Sequence, residues 1–224
     1  MKHWWLLRRE PFGGGSDWLC TIFTRDRGLV KVVCRDAQLP EMHQPCCGEW
    51  PASGDLPRLR TCEAGTALGL SGEALVCALY MDELLTTILP LYDPSDELFD
   101  LYSTILTTLS DNERVDVWLR MFEQCLLSHC GQGIHWTQTA HGAPVIAGTY
   151  YLFCGGEGLI EDPDGWDGEI LLAIADGEFT RPGTLSVARQ VLRIAIDYAV
   201  SRPCLLYTSP SPRDLDLSRM PSSA

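Results

Sequence analysis

Trp18-Leu19-Cys20-Thr21-Ile22-Phe23-Thr24, then Arg25-Asp26-Arg27-Gly28, then Leu29-Val30-Lys31-Val32-Val33-Cys34 form two runs of β-forming residues joined by a charged turn that ends in glycine. Such a pattern predicts a β-hairpin, with the second run alternating around Lys31. Outward from it, residues 1–62 keep the character of strands and turns. Asp36 to Pro57 is dense in Pro, Gly and Ser and predicts a long loop or irregular short strands.

From Ser71 the period changes to helical. Val76, Leu79, Tyr80, Leu84, Leu85 and Ile88 recur at three- and four-residue steps until Pro90, predicting a helix with that inward face. Asp93-Pro94-Ser95-Asp96-Glu97 supplies a capping acceptor, a proline for the first turn and acids facing the macrodipole. The helix it opens runs to about Leu109, burying Leu98, Leu101, Tyr102, Ile105, Leu106 and Leu109. A third carries Val115, Trp118, Leu119, Phe122 and Leu126 up to Gly131, and a last one from Ser186 to Ser201 turns Val187, Val191, Ile194, Ala195 and Tyr198 inward. Between them, 134–183 holds two short apolar stretches, Thr149–Phe153 and Ile170–Ala175, either side of Asp162-Pro163-Asp164-Gly165. Strands first and helices after give an α+β chain.

The 224 residues are 46% apolar and 21% charged, which excludes a disordered or fibrous protein, and no apolar run reaches the roughly 18–20 residues of a membrane span. Arg8-Arg9-Glu10-Pro11 cuts the opening Trp4-Trp5-Leu6-Leu7 too short for a signal-peptide core, so a cytoplasmic location is expected. Ten scattered cysteines, Cys20, Cys34, Cys77 and Cys125 among them in apolar segments, read as reduced thiols. A net charge of −13 argues against coating nucleic acid over the whole surface. The charge is polarised, however. Residues 1–62 carry nine Lys/Arg against seven Asp/Glu, whereas 63–204 carry six against 21.

Four strings in this order resemble the bacterial DNA repair RecO family of recombination mediators. They are Phe23 to Val33; Tyr80-Met81-Asp82-Glu83-Leu84-Leu85; Glu97-Leu98-Phe99-Asp100-Leu101-Tyr102; and Leu119-Arg120-Met121-Phe122-Glu123, followed by Leu126-Leu127 and Gly131-Gln132-Gly133. The resemblance covers about residues 5–203. It implies an N-terminal OB-fold barrel (1–66), an α-helical domain with a small irregular β insertion (67–203), and a tail (204–224) expected to be disordered. Cys204 to Ala224 resembles translated adapter read-through more than a native terminus. The family implication for function is single-stranded DNA binding, annealing of complementary strands and, with RecR, help in loading RecA onto DNA coated by single-stranded DNA-binding protein (SSB). The expected partners are therefore single-stranded DNA, the acidic SSB tail and RecR, indirectly RecA, in a bacterial, nucleoid-associated setting with no membrane.

A barrel that grips single strands needs cations along the backbone and aromatic faces for bases. Arg8, Arg9, Arg25, Arg27, Lys31 and Arg35 are the candidate cations, interleaved with Trp4, Trp5, Phe12 and above all Trp18. Cys34-Arg35-Asp36-Ala37-Gln38-Leu39-Pro40-Glu41 departs from the family's basic stretch after the second strand, which predicts weak, salt-sensitive DNA binding. For an acidic tail with an apolar end, Arg120, Arg189 and Arg193 are the candidate docking residues. The alternative is a protein-interaction module of the same fold with little DNA binding.

An enzyme is not expected. There is no G-x-x-x-x-G-K-[ST], Gly13-Gly14-Gly15 lacks a following Lys, and no G-x-S-x-G elbow is present. No cofactor is expected either. Some family members hold zinc through paired C-x-x-C motifs, but His129, Cys130, His135, His141 and Cys154 match no zinc spacing, the adjacent Cys46-Cys47 read as a loop pair, and the acidic run Glu161–Glu169 lacks the calcium-loop order.

Overall fold

A computed structural model describes residues 2–51, 56–109 and 114–201; the expected disordered tail, 204–224, lies outside the described residues. Five strands come first: β1 (Lys2–Phe12), β2 (Asp17–Thr24), β3 (Gly28–Arg35), β4 (Cys46–Glu49) and β5 (Thr61–Ala64). They form an antiparallel sheet in the order β3-β2-β1-β4-β5. Its edge strand β3 meets the segment ahead of β5 at a parallel bridge, Val33 to Arg58, where the Val33 N–H donates to Pro57 O and the Leu59 N–H to Val33 O. The result is a curled, incompletely closed ladder consistent with an OB-fold.

The hairpin forms where its residues predict. Thr24 pairs with Gly28, and the Thr24 hydroxyl both donates to Gly28 O and accepts from the Arg27 N–H. Cys46 and Cys47, expected in a loop, instead begin β4 and pair with both β1 and β5.

Helices α1 (Gly72–Ile88), α2 (Asp96–Thr108) and α3 (Val115–His129) follow. A three-stranded sheet in the order β7-β6-β8 comes next, from β6 (Tyr150–Cys154), β7 (Gly158–Glu161) and β8 (Trp166–Asp167), then α4 (Gly168–Ala175) and α5 (Thr184–Ser201). Ser95, not Asp93, caps α2, its hydroxyl accepting from the Leu98 N–H; Pro94 therefore precedes the cap and sits outside the first turn. The second apolar stretch, Ile170–Ala175, is helical. Asp167 caps it by accepting from the Glu169 and Gly148 N–H groups, and those bonds hold its carboxyl below the ordinary range.

Two helix faces differ from the periodicity. Val76 and Leu79 are 65% and 47% exposed, and α1 buries Cys77, Ala78, Met81, Leu84, Leu85 and Ile88 instead. The helix is apolar round most of its circumference, so the neighbours it packs on, α3, β1 and α5, choose the face. Ile194 of α5 is likewise exposed.

The first sheet packs on both sides. Trp4, Leu6, Cys20, Ile22, Val30, Val32, Cys34 and Cys46 fill the barrel interior, while Trp5, Leu7, Phe23 and Leu29 on the outer face join the main core with the helices. Apolar side chains on both faces make Trp4 to Leu7 an unbroken buried run. Rings continue across the junction: Phe23 lies 5.4 Å from Phe99 and 5.7 Å from Tyr102, and Trp5 meets Tyr102 edge-on at 6.1 Å. Polar contacts fix the same junction. Trp5 Nε1 donates to Ser103 Oγ at 2.8 Å, and the Tyr92 N–H to Leu29 O at 2.9 Å.

Candidate nucleic-acid and partner interfaces

Strict alternation along β1 sends Trp4 and Leu6 into the barrel and would send Arg8 after them. A register shift intervenes: Leu6 pairs with Ile22, but Arg8 pairs with Thr21 and Arg9 with Cys20. This β-bulge gives the outer face both Leu7 and Arg8 and returns Arg9 to the inner face. Because Thr21 also pairs with Lys31, Arg8, Thr21 and Lys31 form a row across three strands of the outer face. Arg35 lies on the same face farther along β3.

Arg8, Thr21 and Lys31 line a groove of about 210 Å3, together with Glu10 and, from α1 and the segment after it, Thr86, Leu89 and Leu91. Arg8 pairs with Glu10 at 2.6 Å on the surface, with side chains 65% and 48% exposed. An exposed pair of this kind contributes little and exchanges readily for another anion. Lys31 is exposed and makes no ion pair among the described residues.

The other expected cations lie elsewhere. The Arg9 guanidinium sits 5.7 Å from the centre of the Trp18 ring, whose Nε1 donates to Asp36 Oδ1 at 2.9 Å. Trp18 thus borders the barrel interior, on the face opposite Lys31. Arg25 reaches Asp100 at 2.6 Å and Asp96 at 3.2 Å, tying the hairpin turn to α2, and Arg27 occupies the same turn. Trp4 and Trp5 are 1% and 4% exposed and serve the two cores, so neither ring is open to a base. Only Arg8, Lys31 and Arg35 share one face, and Thr21 and Thr86 join them without having been singled out. A threonine in a strand or helix has no sequence signal for groove lining.

The three docking candidates do converge. Arg120 of α3 and Arg189 and Arg193 of α5 line one recess of about 280 Å3 with Tyr80, Glu123, Ile196 and Asp197. Arg120 Nη2 donates to Glu123 Oε1 at 2.6 Å, and Tyr80 OH donates to the same oxygen at 2.7 Å. Arg120 and Glu123 are 7% and 1% exposed, and Arg120 Nε and Glu123 Oε2 make no hydrogen bond among the described residues. Burial pushes the Glu123 carboxyl above its usual range, against the pull of Arg120. Glu123 and Tyr80 lay inside the strings already quoted, and the i,i+3 spacing of Arg120 and Glu123 was their readable signal.

A second buried polar set joins barrel and helices. His43 Nε2 lies 2.8 Å from Asp82 Oδ2, and Tyr102 OH donates to Asp82 Oδ1 at 2.5 Å, with all three residues at 4% exposure or less.

Among the described residues no three His, Cys, Asp or Glu side chains converge on a metal-sized site. His129 faces Asp93 at 3.2 Å, and Cys130 is buried just after α3. The nine described cysteines are free thiols. No helix of the described residues is long and apolar enough to cross a membrane.

Residues 70–167 match the family model described as recombination protein O C terminal. The chain is 34% identical over 205 residues to the DNA repair protein RecO of Nitrosococcus oceani, covering 84% of this chain and 83% of the relative. It is 32% identical over 226 residues to that of Pseudomonas paraeruginosa, covering 94% and 96%. The chain belongs to the RecO family. Membership gives it a role in DNA repair and recombination, and the family resemblance of the four strings extends through the hairpin, α1, α2 and α3.

Proposed function

We propose that the chain is a cofactor-free, non-enzymatic recombination mediator that binds single-stranded DNA, anneals complementary strands and, with RecR, helps RecA onto SSB-coated DNA. The observation that carries this reading is the row Arg8, Thr21 and Lys31, extended by Arg35, on one face of the first sheet. Two guanidinium groups and an ammonium along an extended surface can track a phosphate backbone, while Thr21 offers a hydroxyl donor beside them. Two strands held on one such surface meet at raised effective concentration, which accelerates annealing without bond chemistry. Arg189 and Arg193, both exposed above the buried Arg120, suit an acidic peptide such as the SSB tail.

The second reading, an interaction module with little DNA affinity, is supported by the ion pairs that already occupy Arg8 and Arg25. Annealing of SSB-coated complementary strands under a salt titration separates the two. Under the mediator reading, Arg8→Ala, Lys31→Ala and Arg35→Ala each slow annealing and each reduce the log-log salt slope of single-strand binding by about 0.7. Folded protein that binds the SSB tail yet leaves annealing at the spontaneous rate would leave the module reading standing.

A further inference from the structure

Helix α3 serves two surfaces. Arg120 and Glu123 point to the recess shared with α1 and α5, whereas Val117, Met121, Gln124, Cys125 and Ser128, at helical spacing on another stripe, line a separate groove. This groove measures about 740 Å3 and is walled mainly by Leu101, Val117, Met121, Cys125, Ile174 and Phe179. Met121 is 40% exposed within it. A flexible thioether at an open apolar wall adapts to side chains of differing shape.

The rim is acidic. Among the described residues Glu97 and His129, the latter facing Asp93 at 3.2 Å, line the groove, and no Lys or Arg does. The Glu97 carboxylate also acts on the Cys125 thiol, which is pushed up to about 11, first by burial and second by Glu97. Asp176 and Glu178 are exposed on either side of the lining residue Gly177. Arg120 is buried against Glu123, Arg25 is held by Asp96 and Asp100, and Arg114, one turn before Val117 at the start of α3, is not among the residues that line the groove. Apolar walls under a rim of one sign select the opposite sign in what they bind.

We infer that this groove docks a basic protein segment, one that seats an apolar anchor such as Phe or Leu between α2, α3 and α4 while its Lys or Arg residues face Glu97, Asp176 and Glu178. The site is independent of the Arg120 recess and opposite to it in charge, so the helical part can hold an acidic and a basic segment at once.

Fluorescence anisotropy with the full chain and three labelled synthetic peptides tests the assignment: one with Phe and Leu flanked by Lys and Arg, one with the same anchors flanked by Asp and Glu, and one basic peptide with both anchors replaced by Ser. The first peptide should bind and should shield Cys125 from a maleimide, read at that residue by mass spectrometry. Met121→Lys and Glu97→Lys should each weaken it about tenfold, a 1.4 kcal/mol change, with circular dichroism confirming that both variants fold. Equal affinity for the acidic or the Ser-anchored peptide would overturn the inference, as would unchanged Cys125 labelling or unchanged affinity in both variants. A dimer of the chain that Met121→Lys dissolves would assign the groove to a second copy and overturn it too.

Discussion

Replacing Asp82 with Ala removes the acceptor that holds His43 of the barrel loop and Tyr102 of α2 at one point of the barrel–helix junction. Both partners stay behind in a dry site, His43 at 3% exposure and Tyr102 at 0%. Each polar group left without a partner costs about 1–3 kcal/mol, and breaking a buried pair from one side typically costs about 3–5 kcal/mol, so about 4 kcal/mol is expected. For a chain of this size that lowers Tm by roughly 8–16 °C. Urea unfolding followed by tryptophan fluorescence and circular dichroism reads the loss. Asp82→Asn, which keeps an acceptor for the tyrosine hydroxyl, should cost less than Asp82→Ala. A cost below about 1 kcal/mol for Asp82→Ala, or strict additivity with His43→Phe, would refute the view that the three groups act as a unit. The pH dependence has a definite sign. Burial holds the Asp82 carboxyl above its ordinary value, outweighing the bonds from His43 and Tyr102. Between the unfolded carboxylate range near pH 4 and that raised value, the folded chain retains protons that the unfolded chain has released. The stability margin of wild type over Asp82→Asn therefore shrinks as pH rises through this window and is constant above it.

Arg25→Ala should cost only about 0.5–1 kcal/mol, because its partners Asp96 and Asp100 are half exposed or more; the difference should fade in high salt, and DNA binding should change less than with Lys31→Ala. Gly28→Ala should be far more damaging than Gly13→Ala although both glycines have φ near +65 to +70°. A methyl at Gly28 would lie 2.1 Å from Asp93 O, while nothing lies within 4 Å at Gly13, so thermal melts should show about 1–2 kcal/mol for Gly13 and clearly more for Gly28. Cys47, half-exposed with its Sγ 3.1 Å from His3 Nδ1, should react with maleimide ahead of the buried Cys20, Cys34 and Cys46, and His3→Ala should slow it; equal rates in the two proteins would remove the imidazole as the activating base.

Legibility in the sequence followed how local each signal was. The hairpin at Trp18–Cys34 and the ends of α1 and α3 could be read because turn chemistry, a proline stop and a glycine end act within a few residues. Cys46-Cys47 read as loop because a strand of four residues, held by two neighbours distant in sequence, carries no period of its own. Val76 and Leu79 were misassigned for a related reason. Their spacing is helical, but an apolar circumference offers several faces, and tertiary contacts made the choice. Arg120, Arg189 and Arg193 share one recess, and two of them lie one turn apart on α5, which brings those two to one side before any tertiary contact is known.

The sheet's cations show the limit most clearly. Arg8-Arg9 is a symmetrical pair in sequence, and period-two alternation assigns Arg8 to the barrel interior with Trp4 and Leu6. One extra residue at Leu7 reverses this, placing Arg8 beside Thr21 and Lys31 and leaving Arg9 against Trp18. Closing the bulge with Leu7 kept would return every residue after it to the opposite face, burying the Arg8 charge and turning Arg9 outward. A Leu7 deletion tests that reasoning directly. It removes the extra residue while Arg8 keeps Thr21 and Arg9 keeps Cys20 as partners, and it takes from the main core a leucine that is 4% exposed. The expected result is a loss of about 2–5 kcal/mol for the missing leucine, with single-strand binding still sensitive to Arg8→Ala and indifferent to Arg9→Ala. Binding that becomes sensitive to Arg9 in the deletion variant would mean that Leu7 is not the residue that sets the row.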